Sequence, residues 1–332
     1  MSDLLEVKDL CMYFPAGSAG FLKREKQYVY AVDGVSFSLK KGETLGLVGE
    51  SGCGKSTVVR ALARLYVPTS GEVRLNGKDL GSMNKRELLE ARRNMQIVFQ
   101  NPYASLNPRM TTGEIIAEPM RIYQKLGLLA ASNSEIEARV EALMEMVGLL
   151  KRYKNRYPHE FSGGQRQRIG IARSIALSPQ LVLADEPVSA LDVSIQAQIL
   201  NLFKDIQQEF GLSYLFIAHD LAVIEYISDR VAVMYLGKIV EISDYEDLYK
   251  NPRHPYTQAL LSSAPIPDPK IEAERKRIIL SGDVPSPNIR RPGCYFYDRC
   301  QYRMDLCKDS QPELKTSPGG RETHKTACFR EG

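Results

Sequence analysis

Apolar residues follow two patterns along the chain. In the first they form short runs or alternate with polar residues, and in the second they recur at the spacing of an α-helix. Strands are predicted from the first pattern at residues 5–14, 28–39, 44–48, 97–99, 181–184, 214–218 and 231–235. Helices are predicted at residues 56–66, 136–147 and 193–210, and Asn76 with Gly77 predicts a hairpin turn after residues 72–75. Since strands alternate with helices, we expect an α/β fold whose sheet is covered on both faces.

Two regions depart from this alternation. Residues 112–158 are helix-rich, which predicts an inserted helical subdomain at about residues 101–165. After about Lys250 prolines become frequent, and this predicts a turn-rich appendage with one helix at residues 256–262 and a charged stretch at residues 271–277. A polar loop is expected at residues 15–26. We therefore divide the chain into domains at residues 1–250 and 251–332.

Composition narrows the class of protein. The 332 residues are 43% hydrophobic and 25% charged, as in soluble globular proteins. The sequence contains no apolar run of the roughly 18 residues that span a bilayer, and its N-terminus does not read as a secretory signal. We expect a cytoplasmic protein. From Lys270 onward 13 Lys and Arg face 9 Asp and Glu, so the tail carries the formal net charge of +4. The near-neutral body argues against a nucleic-acid partner.

A glycine-rich segment at residues 49–57 lies between a predicted strand and a predicted helix. It satisfies the phosphate-loop pattern G-x-x-x-x-G-K-[ST], and its context argues against a chance turn. Backbone N–H groups and the helix start would face the phosphates. Lys55 is expected to reach the β- and γ-phosphates, and Ser56 to bind Mg²⁺. The candidate binding residues are Gly49, Glu50, Ser51, Gly52, Cys53, Gly54, Lys55, Ser56 and Thr57.

Polar residues at the ends of other predicted strands are candidates for catalysis. Asp185 is placed to hold Mg²⁺, and Glu186 to polarise the attacking water. Gln100 could bind Mg²⁺ or sense the γ-phosphate, and His219 could contact the γ-phosphate and the water. Taken alone, a lone Gln is uninformative, and a single His at a strand end is more often structural.

The segment Phe161, Ser162, Gly163, Gly164, Gln165 completes a set of motifs and predicts a helix start capped by Ser162. Over about residues 5–250 the order and spacing of these motifs resemble the ATP-binding cassette (ABC) ATPases. By that resemblance residues 49–57 are Walker A, Gln100 is the Q-loop glutamine, residues 161–165 are the signature with Phe in place of Leu, residues 181–186 are Walker B, Asp192 lies in the D-loop and His219 is the switch histidine.

The resemblance implies an ABC-type P-loop NTPase core with a β subdomain and an inserted helical subdomain. It implies two ATPase chains that sandwich two ATP molecules, so that Ser162, Gly163, Gly164 and Gln165 contact the ATP held by the partner. It assigns catalytic roles to Glu186, His219, Lys55 and Gln100, and Mg²⁺ to Ser56, Gln100 and Asp185. The aromatic residue that stacks on adenine would be Tyr13, Phe14, Tyr28 or Tyr30, with Phe14 preferred for its place at the end of the first strand.

Residues 251–261 narrow the resemblance. They contain His254, Pro255 and Tyr256, and look like the His-Pro-Tyr segment of oligopeptide and dipeptide importers. Residues 101–109 strengthen that match. The resemblance implies a peptide-importer ATPase on the cytoplasmic face of the membrane, in a heterodimer with a second homologous ATPase, with two membrane permeases and an extracytoplasmic substrate-binding protein. His254 itself is expected to be structural, because prolines surround it and it is distant in sequence from the nucleotide motifs.

Four of the six cysteines, Cys294, Cys300, Cys307 and Cys328, form a C-x₅-C-x₆-C-x₂₀-C pattern in a small C-terminal appendage. In a cytosolic chain such a group indicates metal ligands more than disulfides. Four thiolates suit Zn²⁺ or an iron–sulfur cluster. The missing C-x₂-C knuckle, together with similar clusters in the importer group, favours [4Fe–4S]. We expect a structural role and give redox sensing second place.

Two other functions stay open. The same kind of ATPase could serve an importer of nickel, glutathione or another solute, because the ATPase does not touch the cargo. A non-transport ABC ATPase acting on DNA or ribosomes is less favoured. Such chains usually carry two cassettes or a long coiled coil between the motifs, and this sequence has neither.

Overall fold

The structure, a computed structural model, describes residues 3–16, 27–263, 277–316 and 321–331. Spatial contacts divide the chain into two compact units. We call Lys40–Glu43 with Leu80–Ile217 the signature unit, and Ser2–Leu39, Thr44–Asp79 and Ala218–Gly332 the phosphate-loop unit. This division differs from a boundary at residue 250, which stays a prediction. Most of the expected loop at residues 15–26 and of the charged stretch at residues 271–277 lies outside the described residues.

Twelve strands and eleven α-helices are found in the described part of the chain. The strands are β1 (Asp3–Ala16), β2 (Gln27–Lys40), β3 (Thr44–Val48), β4 (Ser70–Leu75), β5 (Lys78–Asp79), β6 (Met95–Val98), β7 (Leu181–Asp185), β8 (Ser213–Ile217), β9 (Arg230–Tyr235), β10 (Lys238–Asp244), β11 (Lys315–Thr316) and β12 (Lys325–Thr326). The helices are α1 (Lys55–Leu62), α2 (Lys85–Asn94), α3 (Pro102–Ser105), α4 (Thr112–Lys125), α5 (Asn133–Met146), α6 (Gly163–Ile175), α7 (Val193–Phe210), α8 (Leu221–Ile227), α9 (Tyr245–Lys250), α10 (Pro255–Ser263) and α11 (Leu306–Asp309).

The phosphate-loop unit contains two groups of strands. One is a sheet in the order β2-β1-β4-β5, in which Leu5 of β1 lies opposite Leu75 of the antiparallel β4. Asn76 and Gly77 turn β4 into β5 with positive φ angles of 51° and 74°, which confirms the predicted hairpin. In the other group β3 is parallel to β9, and β10, β12 and β11 continue from β9 in antiparallel pairs. All five residues of β3 are buried, so the phosphate loop begins at the end of a strand that is held in place by packing.

The signature unit has a parallel core. Strands β6, β7 and β8 pair in register, with Met95 opposite Leu181 and Leu181 opposite Ser213. Every residue of β7 and β8 is buried, as expected of parallel strands covered on both faces. Helix α5 buries Ile136, Val140, Leu143 and Met144, the apolar positions that predicted it. Helices α4, α5 and α6 pack together in this unit and place the signature segment at the start of α6.

Candidate nucleotide-binding site

The phosphate loop in the phosphate-loop unit has a backbone that only glycine can adopt at two positions. Gly49 has φ of 154°, and a Cβ placed on it would lie 2.1 Å from the Met234 carbonyl oxygen. Gly54 has φ of 108°, and its Cβ would lie 2.0 Å from the Ala31 oxygen. A side chain at either position would therefore force the backbone to move. The glycines fix the path of the chain from β3 into α1.

Lys55 begins helix α1 and is buried. Its Nζ donates hydrogen bonds to the carbonyl oxygens of Gly49 (2.7 Å) and Glu50 (3.0 Å), so the ammonium lies inside the loop. Ser56 follows in the first helical turn and is half-buried. Burial raises the pKa of the Cys53 thiol, and the nearby Lys55 opposes that shift only in part. The Lys55 ammonium and the N-terminus of α1 therefore lie side by side in the loop, an arrangement that suits phosphate binding.

Glu50 is the loop residue whose contacts the sequence did not predict. Its backbone N–H donates to the Tyr256 hydroxyl at 2.8 Å, and its carboxylate accepts two hydrogen bonds from Arg299 at 2.8 and 3.1 Å. These partners lie 206 and 249 residues further along the chain. Contacts between residues so far apart in the chain cannot be predicted from the pattern of neighbouring residues. The only sequence signal was the resemblance of residues 251–261 to importer ATPases.

In the signature unit, the acidic end of β7 meets Gln100. Asp185 is the last residue of β7 and is buried. Glu186 follows with φ of 47°, a left-handed conformation that is uncommon for a residue with a side chain. Its N–H donates to the Ile217 carbonyl at 3.1 Å, which fixes this turn. Gln100 Nε2 donates to Glu186 Oε2 at 2.8 Å. Two of the sequence-predicted catalytic residues are thus brought into direct contact.

The signature segment forms a capped helix start. Ser162 Oγ accepts the Gln165 N–H at 3.3 Å, and Gln165 Oε1 accepts the Ser162 N–H at 3.1 Å, a reciprocal capping box that confirms the predicted N-cap. A Cβ on Gly164 would lie 2.4 Å from Ile195 Cγ2, whereas one on Gly163 would meet only Leu191 at 3.5 Å. Gly164 therefore allows α6 to approach α7, while Gly163 stays open to an approaching group.

Asp192, the D-loop candidate, begins the helix against which α6 packs. Its carboxylate accepts the Ile195 N–H at 3.0 Å and the Ser194 hydroxyl at 2.8 Å. The Ile195 N–H, first, and the Ser194 hydroxyl hold the pKa of this carboxyl below its usual value. Asp192 is thus an N-cap of α7, and Ile195 of the same turn contacts the signature glycine.

The segment after Gln100 is fastened to the signature helix. Asn101 caps α3, and the Arg166 guanidinium lies 3.6 Å from the centre of the Tyr103 ring and bonds the Tyr103 hydroxyl. Arg173 Nη1 donates to the Ser105 carbonyl at 2.6 Å. Both arginines project from α6. The segment is therefore tied to α6 at two points, Tyr103 and Ser105.

Phe14 on β1 and His219 just after β8 belong to the phosphate-loop unit. Phe14 is half-buried near the end of β1 and packs edge-on against Tyr66 at 5.4 Å. The neighbouring Tyr13 donates its hydroxyl to Asp33 at 2.6 Å and so has a structural partner. His219 is exposed between β8 and α8. Adenine stacking by Phe14 and phosphate contact by His219 stay predictions.

The four C-terminal cysteines line one small cavity. All four are thiols and not halves of a disulfide. Burial raises the pKa of Cys294 to about 11 and also raises the pKa of Cys300. Within the described ranges, no group of three or more His, Cys, Asp or Glu side chains is arranged to hold a metal ion. The chemistry of the donors fits a thiolate-bound group, and their spacing in the structure does not form one.

His254 belongs to a buried polar cluster around Glu241 of β10. It is 2% exposed, and its Nδ1 accepts the Tyr256 N–H at 3.1 Å at the start of α10. Glu241 accepts the His254 N–H at 3.0 Å and contacts His324 Nε2 at 2.7 Å, while His324 Nδ1 contacts Asp247 at 2.8 Å. These contacts join the C-terminal strand β12 region to β10, and they agree with a structural role for His254.

Comparison with known proteins decides the family. The chain is 52% identical over 326 residues to the oligopeptide transport ATP-binding protein AppF of Bacillus subtilis, covering 98% of this chain and 96% of the relative. It is 51% identical over 334 residues to the oligopeptide transport ATP-binding protein OppF of Salmonella typhimurium, covering 98% and 96%. The chain belongs to the ABC transporter ATPases.

Two family models match this ABC ATPase. The ABC transporter model matches residues 32–189, and the model of the oligopeptide/dipeptide transporter C-terminal region matches residues 240–307. A solved dimeric ATP-binding cassette, in a post-hydrolysis state bound to ADP and Pi, is similar with a TM-score of 0.63 and 29% identity, covering 73% of this chain and 98% of that one. The predicted ABC-type P-loop NTPase fold is therefore confirmed. In the described residues no helix is both long and apolar enough to cross a bilayer.

Proposed function

We propose that this ABC ATPase hydrolyses ATP to drive a peptide importer. The observation that carries the proposal is the near-full-length match to relatives named oligopeptide transport ATP-binding proteins. That match spans the nucleotide motifs and the C-terminal region alike. Residues 49–57 have the backbone and the buried Lys55 that phosphate binding needs, which agrees with this assignment.

The chemistry follows from the residues in each motif. Lys55 and the loop N–H groups bind the β- and γ-phosphates, and Glu186 orients water for in-line attack. Mg²⁺ held by Ser56, Asp185 and Gln100 would neutralise phosphate charge. Gln100, bonded to Glu186 at 2.8 Å, fixes the carboxylate. His219 contacts the γ-phosphate, and Phe14 stacks on adenine.

A second ATPase chain completes the enzyme in this proposal. The open Gly163, which follows the N-cap Ser162 and lies in the first turn of α6, offers its N–H and a positive helix end to the ATP that the partner binds. The partner is a different but homologous ATPase chain, and the pair is therefore a heterodimer. Two membrane permeases and an extracytoplasmic substrate-binding protein complete the importer, and this chain lies at the cytoplasmic face as a peripheral subunit.

The segment after Gln100 is the proposed contact with the permeases. Tyr103 is 66% exposed, yet its ring is held by Arg166 of the signature helix. A permease helix that presses on this segment would act on Gln100 at one end and on α6 through Arg166 and Arg173. Dimer closure and permease movement would thereby be linked.

We propose that Cys294, Cys300, Cys307 and Cys328 bind a [4Fe–4S] cluster, with Zn²⁺ as the alternative. Their shared cavity supports this idea, because all four cysteines are among its lining residues, although they would have to move closer together to bind one group. The cluster would pin the C-terminal segments together, with redox sensing a second role. Its ligands would have to lose protons that burial now retains on Cys294.

The experiment that tests the function is purification of the tagged chain with its native membrane partners. We expect permeases, a second ATPase and a binding protein, and ATP hydrolysis by the reconstituted complex that rises with added peptide. Stimulation by nickel or glutathione in place of peptide would assign the complex to another solute. Co-purification with DNA or ribosomes and without permeases would contradict transport altogether.

A further inference from the structure

The second residue of the phosphate loop is held by two side chains from the far end of the chain. Arg299 donates from both terminal nitrogens to the Glu50 carboxylate, at 2.8 and 3.1 Å. The Tyr256 hydroxyl accepts the Glu50 N–H at 2.8 Å. The carboxylate and the backbone of one loop residue are thus both fixed from the C-terminal region.

The Arg299 side chain is held in place by its surroundings. It is only 9% exposed, and its guanidinium lies 5.9 Å from the centre of the Tyr235 ring. Tyr235 packs on Tyr256 at 4.7 Å, and Phe296 packs on Tyr256 at 5.6 Å. A two-point arginine–carboxylate contact in such a site fixes orientation as well as distance. The Glu50 carboxylate therefore has one defined position.

A carboxylate in a phosphate loop conflicts with the function of the loop. ATP brings several negative charges to residues 49–57, and an uncompensated Glu50 would repel them. Arg299 is 9% exposed and Glu50 is 27% exposed, so the charges of this partly buried pair are screened less than those of fully exposed residues. The arginine supplies the opposite charge and turns the carboxylate toward itself.

We infer that Arg299 is a positioning residue for ATP binding, which keeps the Glu50 carboxylate neutralised and directed toward the C-terminal region. This inference rests on the proposed role of residues 49–57 as the ATP site. Arg299 ends the short helix Tyr297–Arg299 and immediately precedes Cys300, so the inferred contact links the loop to the cysteine region.

The test is ATP affinity of the full-length chain, measured by calorimetry for four variants. Arg299→Gln should weaken ATP binding roughly threefold to thirtyfold, the range expected for coupled charged neighbours. Arg299→Lys should recover part of the loss. Glu50→Gln should not reproduce the loss of affinity caused by Arg299→Gln, because it removes the repelling charge itself. In the Glu50→Gln background, Arg299→Gln should have little further effect.

Controls separate the possible failures. Arg321→Gln removes another C-terminal arginine, one that is paired with Asp244 at 3.6 Å and largely exposed, and should leave ATP affinity unchanged. Lys55→Ala should strongly weaken ATP binding; if it has no effect, the proposed ATP site is wrong. If Lys55→Ala weakens binding and Arg299→Gln does not, only the inference fails. Equal weakening by Arg299→Gln and Glu50→Gln would show a purely structural contact and would also overturn it.

Discussion

Gln100 donates a hydrogen bond from Nε2 to Oε2 of Glu186 at 2.8 Å. The Glu186 backbone is fixed separately, by its N–H on Ile217 and by a left-handed φ of 47°. Strained backbone at a strand end is typical of functional residues. Side chain and backbone are therefore both oriented before any nucleotide chemistry, which suits a carboxylate that must hold a water molecule in line.

Glu186→Gln should retain ATP binding and lose hydrolysis by a factor of about 10² to 10⁴, the usual contribution of a general base. The amide keeps the size of the side chain and can still accept a hydrogen bond from Gln100, so the fold should be unaltered. Phosphate release by the assembled complex and ATP affinity of the isolated chain measure the two effects. Hydrolysis near the unaltered rate would remove Glu186 from its assigned role.

Much of the fold could be predicted from the sequence, because the spacing of apolar residues within a short segment determines whether that segment forms a strand or a helix. The run at residues 44–48 became β3, and the repeat at residues 136–147 became α5 with nearly the same bounds. Helix α2 was missed since it buries only Ala91 and has no apolar stripe to detect. The contacts of Gln100 with Glu186 and of Arg299 with Glu50 were also missed. They join residues 86 and 249 positions apart, and only the folded chain brings them together.

The two signature glycines should respond differently to alanine. Gly164→Ala places a methyl group 2.4 Å from Ile195 Cγ2, so the Ile195 side chain or the two helices must shift, at a cost of about 1–3 kcal/mol in the free energy of unfolding. Gly163→Ala meets only Leu191 at 3.5 Å and should leave stability within about 0.5 kcal/mol. Denaturant unfolding of the isolated chain compares them. Equal destabilisation would mean that Gly164 is not the packing residue.

Ser162→Arg should act on the partner's nucleotide and not on this chain's own. The new side chain would occupy the N-terminus of α6, where the partner's γ-phosphate is proposed to lie, and removal of the cap should cost only about 1 kcal/mol of stability. We expect normal ATP affinity in the isolated chain and loss of hydrolysis at the composite site in the complex. Ser134→Arg, at the exposed start of α5, is the matched control. A fall in this chain's own ATP affinity would contradict the arrangement.

His324 should make the free energy of unfolding decrease as the pH rises above about 6.5. Burial alone would lower its pKa, but the hydrogen bonds to Glu241 and Asp247 outweigh burial and raise the pKa above the usual value. A raised pKa stabilises the fold below the unfolded value of about 6.5, and that stability is lost as pH rises through the folded pKa. His254 does not interfere in this window, because burial lowers its pKa to about 4 and Glu241 offsets that only in part.

His324→Gln tests this directly. At pH 6 the variant should be less stable by about 3 kcal/mol, since a buried charged partner of Glu241 is lost. The difference in melting temperature between the two proteins should then narrow as pH rises from 6 to 9. A difference that stays constant over that range would mean that His324 is neutral in the fold.

The cysteine cavity should yield metal when the protein is purified without oxygen. Four cysteines that line one cavity predict a brown protein with about four irons per chain, for a [4Fe–4S] cluster held by four cysteines. Cys307→Ser should lose the iron and the visible absorbance, because it removes one of the four ligands. Cys11→Ser, a buried free thiol on β1, should retain both. One zinc per chain and no iron would replace the cluster with a structural zinc site, since four thiolates also suit that ion.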